Sequence, residues 1–195
     1  LTEDLLKDES VEIIVNLTPA QLHVALDRRI IAAGKHLFSE KPFAKTLSDA
    51  RAILSLAKAA GVRVGCAPDT FLGSGLQSLR WYLDRGMIGK PFFVTANMTT
   101  FGYETWHPNV EPFYKKGSGP LYDMAPYYLS AIVALLGPIE SIAAFSTRGL
   151  ERRRLYTGAK AGTEIAPEIP THYTAILRLV SGTVANLNVS LDIYR

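Results

Sequence analysis

The sequence is short of the residues that cross-link a chain or hold a metal. One cysteine, Cys66, in 195 residues excludes an internal disulfide and any four-cysteine zinc site. It also favours a reducing compartment, so a cytoplasmic location is expected. Excess charge of one sign is equally scarce: 21 Lys and Arg against 18 Asp and Glu leave a formal +3. The runs Arg28-Arg29, Lys115-Lys116 and Arg152-Arg153-Arg154 are short and scattered. They read as solvated surface rather than a phosphate-tracking stripe, so nucleic acid is not an expected partner. Charges interrupt every apolar run well before the roughly 18 residues that a membrane span needs, so no membrane partner is expected either. His172 has no second His or carboxylate at ligand spacing, which argues against a metal. What remains, at 48% hydrophobic content, is the balance of a chain that folds around a core.

The pattern changes once along that chain. Val11 to Leu17 is a short, mostly β-branched run that reads as a buried parallel strand. A helix follows, with Leu22, Ala25, Leu26, Arg29, Ile30 and Ala33 near helical spacing and Gly34 as a left-handed cap. His36 to Ser39 is the next strand. Ser48-Asp49 open a second helix with Ala52, Ile53, Leu56, Ala57 and Ala60 on one face and Gly61 as its stop. Val62 to Cys66 is a third strand, and strands alternating with helices over short connections predict a parallel sheet. After Pro68 come a helix over 75–85, a strand over 92–99, an irregular aromatic-rich stretch over 101–120, a helix over 122–136 and a strand over 139–147. The stretch 150–170 has no period and reads as a long loop. Tyr173 to Val180 and Thr183 to Tyr194 flank Ser181-Gly182, a two-residue turn signal for an antiparallel hairpin. The expected organisation is therefore a parallel α/β part over residues 1–68 and an α+β part over 69–195. Residue 1 is Leu, and the last residues read as a strand with no turn after it, so the chain is expected to be an internal piece of a longer protein, with an upstream targeting segment left open.

In parallel sheets ligands gather beyond the carboxyl ends of the strands. Two polar clusters fall there: Asn16-Leu17-Thr18-Pro19 and Ser39-Glu40-Lys41-Pro42. Each has an ordinary reading, as a helix entry and a surface turn. Their joint spacing says more. Thr18-Pro19, His23, Ala33-Gly34-Lys35-His36 and Glu40-Lys41-Pro42, then Gly86-Met87-Ile88-Gly89-Lys90-Pro91 and Gly119-Pro120-Leu121-Tyr122-Asp123-Met124, resemble in order the motifs of the Gfo/Idh/MocA family of NAD(P)-dependent sugar oxidoreductases. The resemblance runs from about Val11 to Tyr194.

It implies the C-terminal part of a Rossmann-like parallel sheet, followed by an α+β domain with a mostly antiparallel open sheet that commonly packs on a partner subunit. A homo-oligomer is expected, through that sheet. Lys41 matches the lysine that approaches both nicotinamide and substrate. Glu40 and Pro42 shape the same corner, and Leu17, Thr18, Pro19 and His23 belong to the cofactor side. Asp123 matches the helix aspartate, and where the family often has an acid/base histidine four residues on, Tyr127 stands. An unperturbed tyrosine titrates near ~10 and would need a cation beside it to act as a base at neutral pH, so Lys41 is the favoured proton-transfer group, with Tyr127 orienting substrate. The other reading of Tyr127 is a core aromatic beside Tyr128.

Trp106, His107 and Tyr114 suit a sugar or polyol pocket, since aromatic faces stack on sugar rings and polar edges bind hydroxyls. The same residues also read as a self-packed loop. Asp69 sits at the rim of the third strand, as a substrate contact or a turn former. The chain has no G-x-G-x-x-G, and Gly73-Ser74-Gly75 lacks the third glycine, so NAD or NADP binding is an expectation about the full-length parent. The expected reaction is hydride transfer between NAD(P) and a sugar or polyol hydroxyl carbon. NAD-assisted elimination or glycoside cleavage, and a non-catalytic dinucleotide-binding regulator or scaffold, are the alternatives.

Overall fold

The computed structural model describes residues 2–193, so Tyr194 lies outside the described residues. They form two compact units, Leu1–Asp69 and Thr70–Arg195. The first opens with a helix, α1 (Thr2–Lys7), for which the sequence reading made no provision. Three parallel strands follow, β1 (Ile13–Asn16), β2 (His36–Ser39) and β3 (Val64–Cys66), paired in the order β1-β2-β3. Between them run α2 (His23–Ala32) and α3 (Leu47–Ala60). Gly34 and Gly61 lie at the helix ends with φ of +73° and +67°, the left-handed region in which a side chain would be strained.

α3 begins at Leu47, one residue before Ser48-Asp49. Thr46 is its N-cap and accepts from the Asp49 amide at 3.1 Å. That bond satisfies one of the orphan N–H groups of the first turn and contributes about 1 kcal/mol.

The core of this unit is Ile30, Ile31, Leu37, Ile53 and Ala57, with Ile14 and Val64 packed against it. Two expectations change here. β1 is not buried on both faces: Ile14 points into the core, whereas Ile13 and Val15 are more than half exposed and Phe38 of β2 joins them. Alternation sends neighbouring side chains to opposite faces, and α2 and α3 cover only one. The buried side of α2 is also not the apolar stripe read from spacing. It is His23, Asp27, Ile30 and Ile31, while Leu22, Ala25 and Arg29 are exposed.

The second unit carries α4 (Ser74–Asp84), β4 (Phe93–Thr99), α5 (Pro120–Asp123), α6 (Ala125–Leu136), β5 (Ile139–Thr147), the two-residue strands β6 (Arg153–Arg154) and β7 (Glu164–Ile165), β8 (His172–Leu179) and β9 (Val184–Ser190). The large sheet has the order β4-β9-β8-β5. β4 and β9 run parallel and the other two pairings are antiparallel. Leu177, Leu179, Ala185, Leu187 and Val189 of its inner face pack with Ile132 of α6.

The β8–β9 connection is longer than a two-residue turn. Leu179 N–H donates to the Thr183 carbonyl, enclosing Val180-Ser181-Gly182, and Gly182 takes φ +86°. Three-residue loops with a left-handed glycine are a standard hairpin solution. The helix expected over 122–136 is broken at Met124. Pro126 has no N–H to donate to the Tyr122 carbonyl and its ring crowds that oxygen, so α5 ends at Asp123 and α6 starts at Ala125.

The stretch 150–170 is not an idle loop. Leu155 and Ile169 are buried, β6 pairs β7, and Arg153 is fully enclosed. The reading of Arg152-Arg153-Arg154 as solvated surface therefore fails at its middle residue. Arg153 donates to Glu104 Oε1 at 2.8 Å, to Asp192 Oδ1 at 2.6 Å and to the Leu191 carbonyl at 2.5 and 3.1 Å. Removing one partner of a buried ion cluster strands the others without compensation. Arg153→Met leaves the buried Glu104 and the largely buried Asp192 carboxylates without their cation, and in the full-length protein it is expected to cost about 3–5 kcal/mol. Urea unfolding is the check, and a wild-type midpoint would refute the cluster's importance.

Candidate functional site

At the carboxyl edge of the parallel sheet, α2 reaches back and holds two loops at once. Asp27 is fully buried in its second turn. It accepts from Asn16 Nδ2 at the end of β1 (2.8 Å) and from Ser39 Oγ at the end of β2 (3.0 Å). Burial pushes the Asp27 carboxyl above its ordinary value; the two donors and the nearby His23 ring pull the other way. Asn16 Oδ1 takes the Thr18 amide and hydroxyl at 3.1 and 2.7 Å, shaping the turn after β1. His23, one helical turn before Asp27, has Nδ1 2.9 Å from the Pro42 carbonyl oxygen and Nε2 2.8 Å from that of Thr18. A carbonyl only accepts, so each of these bonds exists only when the nitrogen facing it carries hydrogen.

Three of the four residues 39–42 are thereby tied to α2 or β1, and Lys41 to its own neighbour. Ser39 is on Asp27, the Glu40 amide on the Asn16 carbonyl at 2.9 Å, the Lys41 amide on Glu40 Oε2 at 2.8 Å, and the Pro42 carbonyl on His23. The Lys41–Pro42 peptide is cis. Lys41, Glu40, Pro42 and Thr18 are half-buried, and Leu17 and Pro19 are exposed. His23 is 1% exposed with both ring nitrogens engaged. It acts on this edge through the loops it joins and offers no atom to a ligand.

Asp69 is exposed beyond β3. Cys66 Sγ approaches the Ala67 carbonyl at 3.0 Å, and burial, reinforced by the charges of Asp27 and Glu40, pushes its thiol up to about 12. Asp27 escaped the sequence reading, and Asn16 and Ser39, named there in the two polar clusters, were given no part in holding the edge. The one available signal was an aspartate four residues after a histidine on a helix that otherwise turns isoleucines inward.

In the second unit the aromatic stretch divides. Trp106 is exposed and His107 half-buried, its ring against Trp106 and Phe113 at 5.3 and 4.8 Å between centroids. His107 Nδ1 accepts from the Asn109 amide, and its carbonyl accepts from the Thr157 hydroxyl. Tyr114 does not present a face to a sugar. It is 1% exposed, and its hydroxyl donates to Glu104 Oε2 at 2.5 Å. Gly102, at φ +109°, makes that bond sterically accessible, because a Cβ there would stand 2.5 Å from the carboxylate and 2.7 Å from the phenol oxygen.

Asp123 accepts from the Tyr103 hydroxyl at 2.6 Å. Asp123 and Tyr127 are both half-buried and stand on either side of the Met124 break, so they share a helical path but not one continuous helix. No helix among the described residues is long and apolar enough to cross a membrane.

A parallel sheet of strands alternating with helices, followed by an open mixed sheet in a second unit, is a two-part Rossmann-type architecture. Residues 2–67 match the oxidoreductase family model with an NAD-binding Rossmann fold, and residues 76–195 match the GFO/IDH/MocA C-terminal domain. The chain belongs to the Gfo/Idh/MocA family.

Among curated relatives, D-xylose dehydrogenase of Paenarthrobacter nicotinovorans is 29% identical over 150 residues, covering 73% of this chain and 38% of that protein. An uncharacterised oxidoreductase of Escherichia coli (strain K12) is 30% identical over 137 residues, covering 68% and 38%. Among solved structures, an NAD binding oxidoreductase from Klebsiella pneumoniae has a TM-score of 0.85 at 25% identity, covering 98% of this chain and 51% of that one. Levoglucosan dehydrogenase in complex with NADH and levoglucosan has a TM-score of 0.83 at 18% identity, covering 98% and 51%, which is a likeness of fold. The chain thus spans between about two fifths and one half of the proteins it matches.

The position of Cys66 yields a direct check. With a pKa of about 12, its thiolate fraction near pH 8 is on the order of 10⁻⁴, against roughly 0.2 for an ordinary cysteine. Alkylation of the native protein by iodoacetamide is expected to run at least ~10²-fold slower than that of glutathione and to keep accelerating beyond about pH 10. Labelling at the free-thiol rate, levelling off by about pH 9, would contradict it.

Proposed function

We propose that the full-length parent of this chain transfers hydride between NAD(P) and the CH–OH carbon of a sugar or polyol. The observation that carries this reading is the tethering of the 39–42 turn. A proton-transfer group must be held within hydrogen-bond reach of its target, and a lysine flanked by Ser39, Glu40 and Pro42, each tied to α2 or β1, meets that need. D-xylose dehydrogenase among the relatives and the NADH complex of levoglucosan dehydrogenase among the fold neighbours support the substrate and cofactor class.

What this chain offers fits one part of a dinucleotide. The half-buried Thr18 and Lys41 at the carboxyl edge suit the nicotinamide end, whereas the sequence holds no glycine-rich phosphate turn. Bound NAD(P) would supply the hydride acceptor or donor. Lys41 Nζ takes the proton from the reacting hydroxyl during oxidation and returns it during reduction. Within the first unit Asp69 is the further proposed substrate group, and within the second the proposed ones are the Asp123 carboxylate as an acceptor of a hydroxyl hydrogen bond, the Tyr127 phenol and Trp106. The single cysteine fits a reducing, cytoplasmic setting.

Oligomerisation through the second unit belongs to the same reading. The outer face of its sheet carries a ladder of polar side chains, Asn97, Asn188, Asn186 and Thr174, joined by hydrogen bonds of 2.7–2.9 Å. Phe93, Phe145 and Ile176 stand exposed around it. Asn188 is met on both its amide nitrogen and its oxygen, whereas Asn97 and Asn186 are engaged through their oxygens, so their Nδ2 groups point donors outward from a polar centre ringed by apolar side chains, which suits a second copy of the chain.

Two outcomes are expected. Lys41→Ala in the parent should lower kcat by ~10² or more, followed as reduced-nicotinamide absorbance with D-xylose or levoglucosan, while cofactor affinity stays nearly intact. Near wild-type kcat would end the assignment. Light scattering of the parent should give a multimer at micromolar concentration, and Ile176→Asp should reduce its mass; a wild-type monomer would refute the interface.

A further inference from the structure

We infer that Tyr103 is a positioning residue for the Asp123 carboxylate, and that Glu104 and Arg153 hold Tyr103 in place. The inference rests on the reading that Asp123 faces the substrate.

A carboxylate on a half-buried helix end has rotamers to choose from, and a site that needs one of them must supply a fixed partner. Tyr103 is such a partner. It is 4% exposed, and its hydroxyl donates to Asp123 Oδ2 at 2.6 Å. The ring is confined by Phe113, 4.5 Å away between centroids, and by the edges of Trp106 and Tyr114, each at 6.1 Å. Burial, with the Asp123 charge adding to it, pushes the phenol above its ordinary value, so the hydroxyl keeps its proton and remains a donor throughout the neutral range.

The backbone under Tyr103 is fixed by the next residue. Glu104 is 1% exposed; its carboxylate takes the Tyr114 hydroxyl on Oε2 and Arg153 on Oε1, and its carbonyl takes the Tyr156 amide at 3.0 Å. Arg153 grips the carbonyl of Leu191 just past β9, and Asp192 beyond it is held in turn by the Thr171 hydroxyl at 2.6 Å. A rigid path of side chains therefore runs from the end of β9, through Arg153 and Glu104, to the phenol that faces Asp123. Neither its members nor their order can be read from sequence motifs.

The test uses Tyr103→Phe, Asp123→Asn and the double variant in the full-length parent, assayed with D-xylose or levoglucosan. Tyr103→Phe is expected to lower kcat about 10-fold and raise KM for the sugar without changing KM for the cofactor. In the Asp123→Asn background the same change should alter kcat less than about 2-fold, because the phenol then has no carboxylate to orient. Fully multiplicative effects would overturn the proposal.

A silent Asp123→Asn would sink the functional reading instead. The positioning claim is then decided by the crystal structure of Tyr103→Phe, in which Asp123 should leave its rotamer while the backbone of 101–115 stays. An unmoved Asp123 would overturn it. Arg153→Lys keeps a buried cation but loses the two-pronged grip, and provides a second route if Tyr103→Phe does not fold. It should give the same separation of sugar KM from cofactor KM at smaller amplitude, and wild-type kinetics would remove Glu104 and Arg153 from the path.

Discussion

A carboxylate taken out of water costs several kcal/mol unless its lone pairs are met. Asp27 meets them with Asn16 and Ser39, the last residues of two adjacent strands. That one constraint organises the carboxyl edge of the parallel sheet. Because α2 must bring Asp27 to both strand ends, it also brings His23, one turn earlier, to where its ring reaches the carbonyls of Thr18 and Pro42. The turns after β1 and β2 are held to the same helix and to each other. The Lys41 segment inherits a rigidity that its own short Glu-Lys-Pro sequence does not possess.

The second unit solves the same problem at greater range. Glu104 lies in the aromatic stretch, Arg153 in the long connection and Asp192 just past β9. The guanidinium neutralises part of the charge on both acids and supplies N–H groups to the Leu191 carbonyl as well. Such a cluster adds little net stability over apolar packing, but it is selective, since the guanidinium meets both acids and the Leu191 carbonyl only when the three segments are brought together in this arrangement. Tyr103 and Tyr114 follow from it as neighbours of the clamped residues. One presents its hydroxyl to Asp123 and the other is sealed against Glu104.

Two surfaces stay apolar in these units: Ile13, Val15 and Phe38 on one face of the parallel sheet, and Phe93, Phe145 and Ile176 on the open face of the mixed sheet. They differ in their settings. On the mixed sheet the side chains surround a polar ladder centred on Asn188, so that face is amphipathic. On the parallel sheet they alternate with residues packed under α2 and α3, so the exposed face follows from one-sided cover and not from a loss of strand pattern.

Local chemistry was enough for much of the fold. β2 and β5 occupy the residues expected of them, Gly34 and Gly61 close their helices, and the alternation of β8 separates Leu177 and Leu179 from Ile176 and Arg178. These features depend on periods of 2 and 3.6 and on glycine's freedom at positive φ, which neighbouring residues settle among themselves. The ordered motifs from Thr18-Pro19 to Asp123-Met124 likewise pointed to the family that the whole chain matches. The Pro126 break was open to the same local reasoning, since a proline inside a helical pattern always removes a donor.

The inward turn of Asp27, the engagement of both His23 nitrogens, the enclosure of Arg153 and the burial of Tyr114 were of another kind. Each is decided by partners 5 to 49 residues away along the chain. Whether a polar side chain faces water or a core depends on what the fold brings opposite it, and only the tertiary structure supplies that.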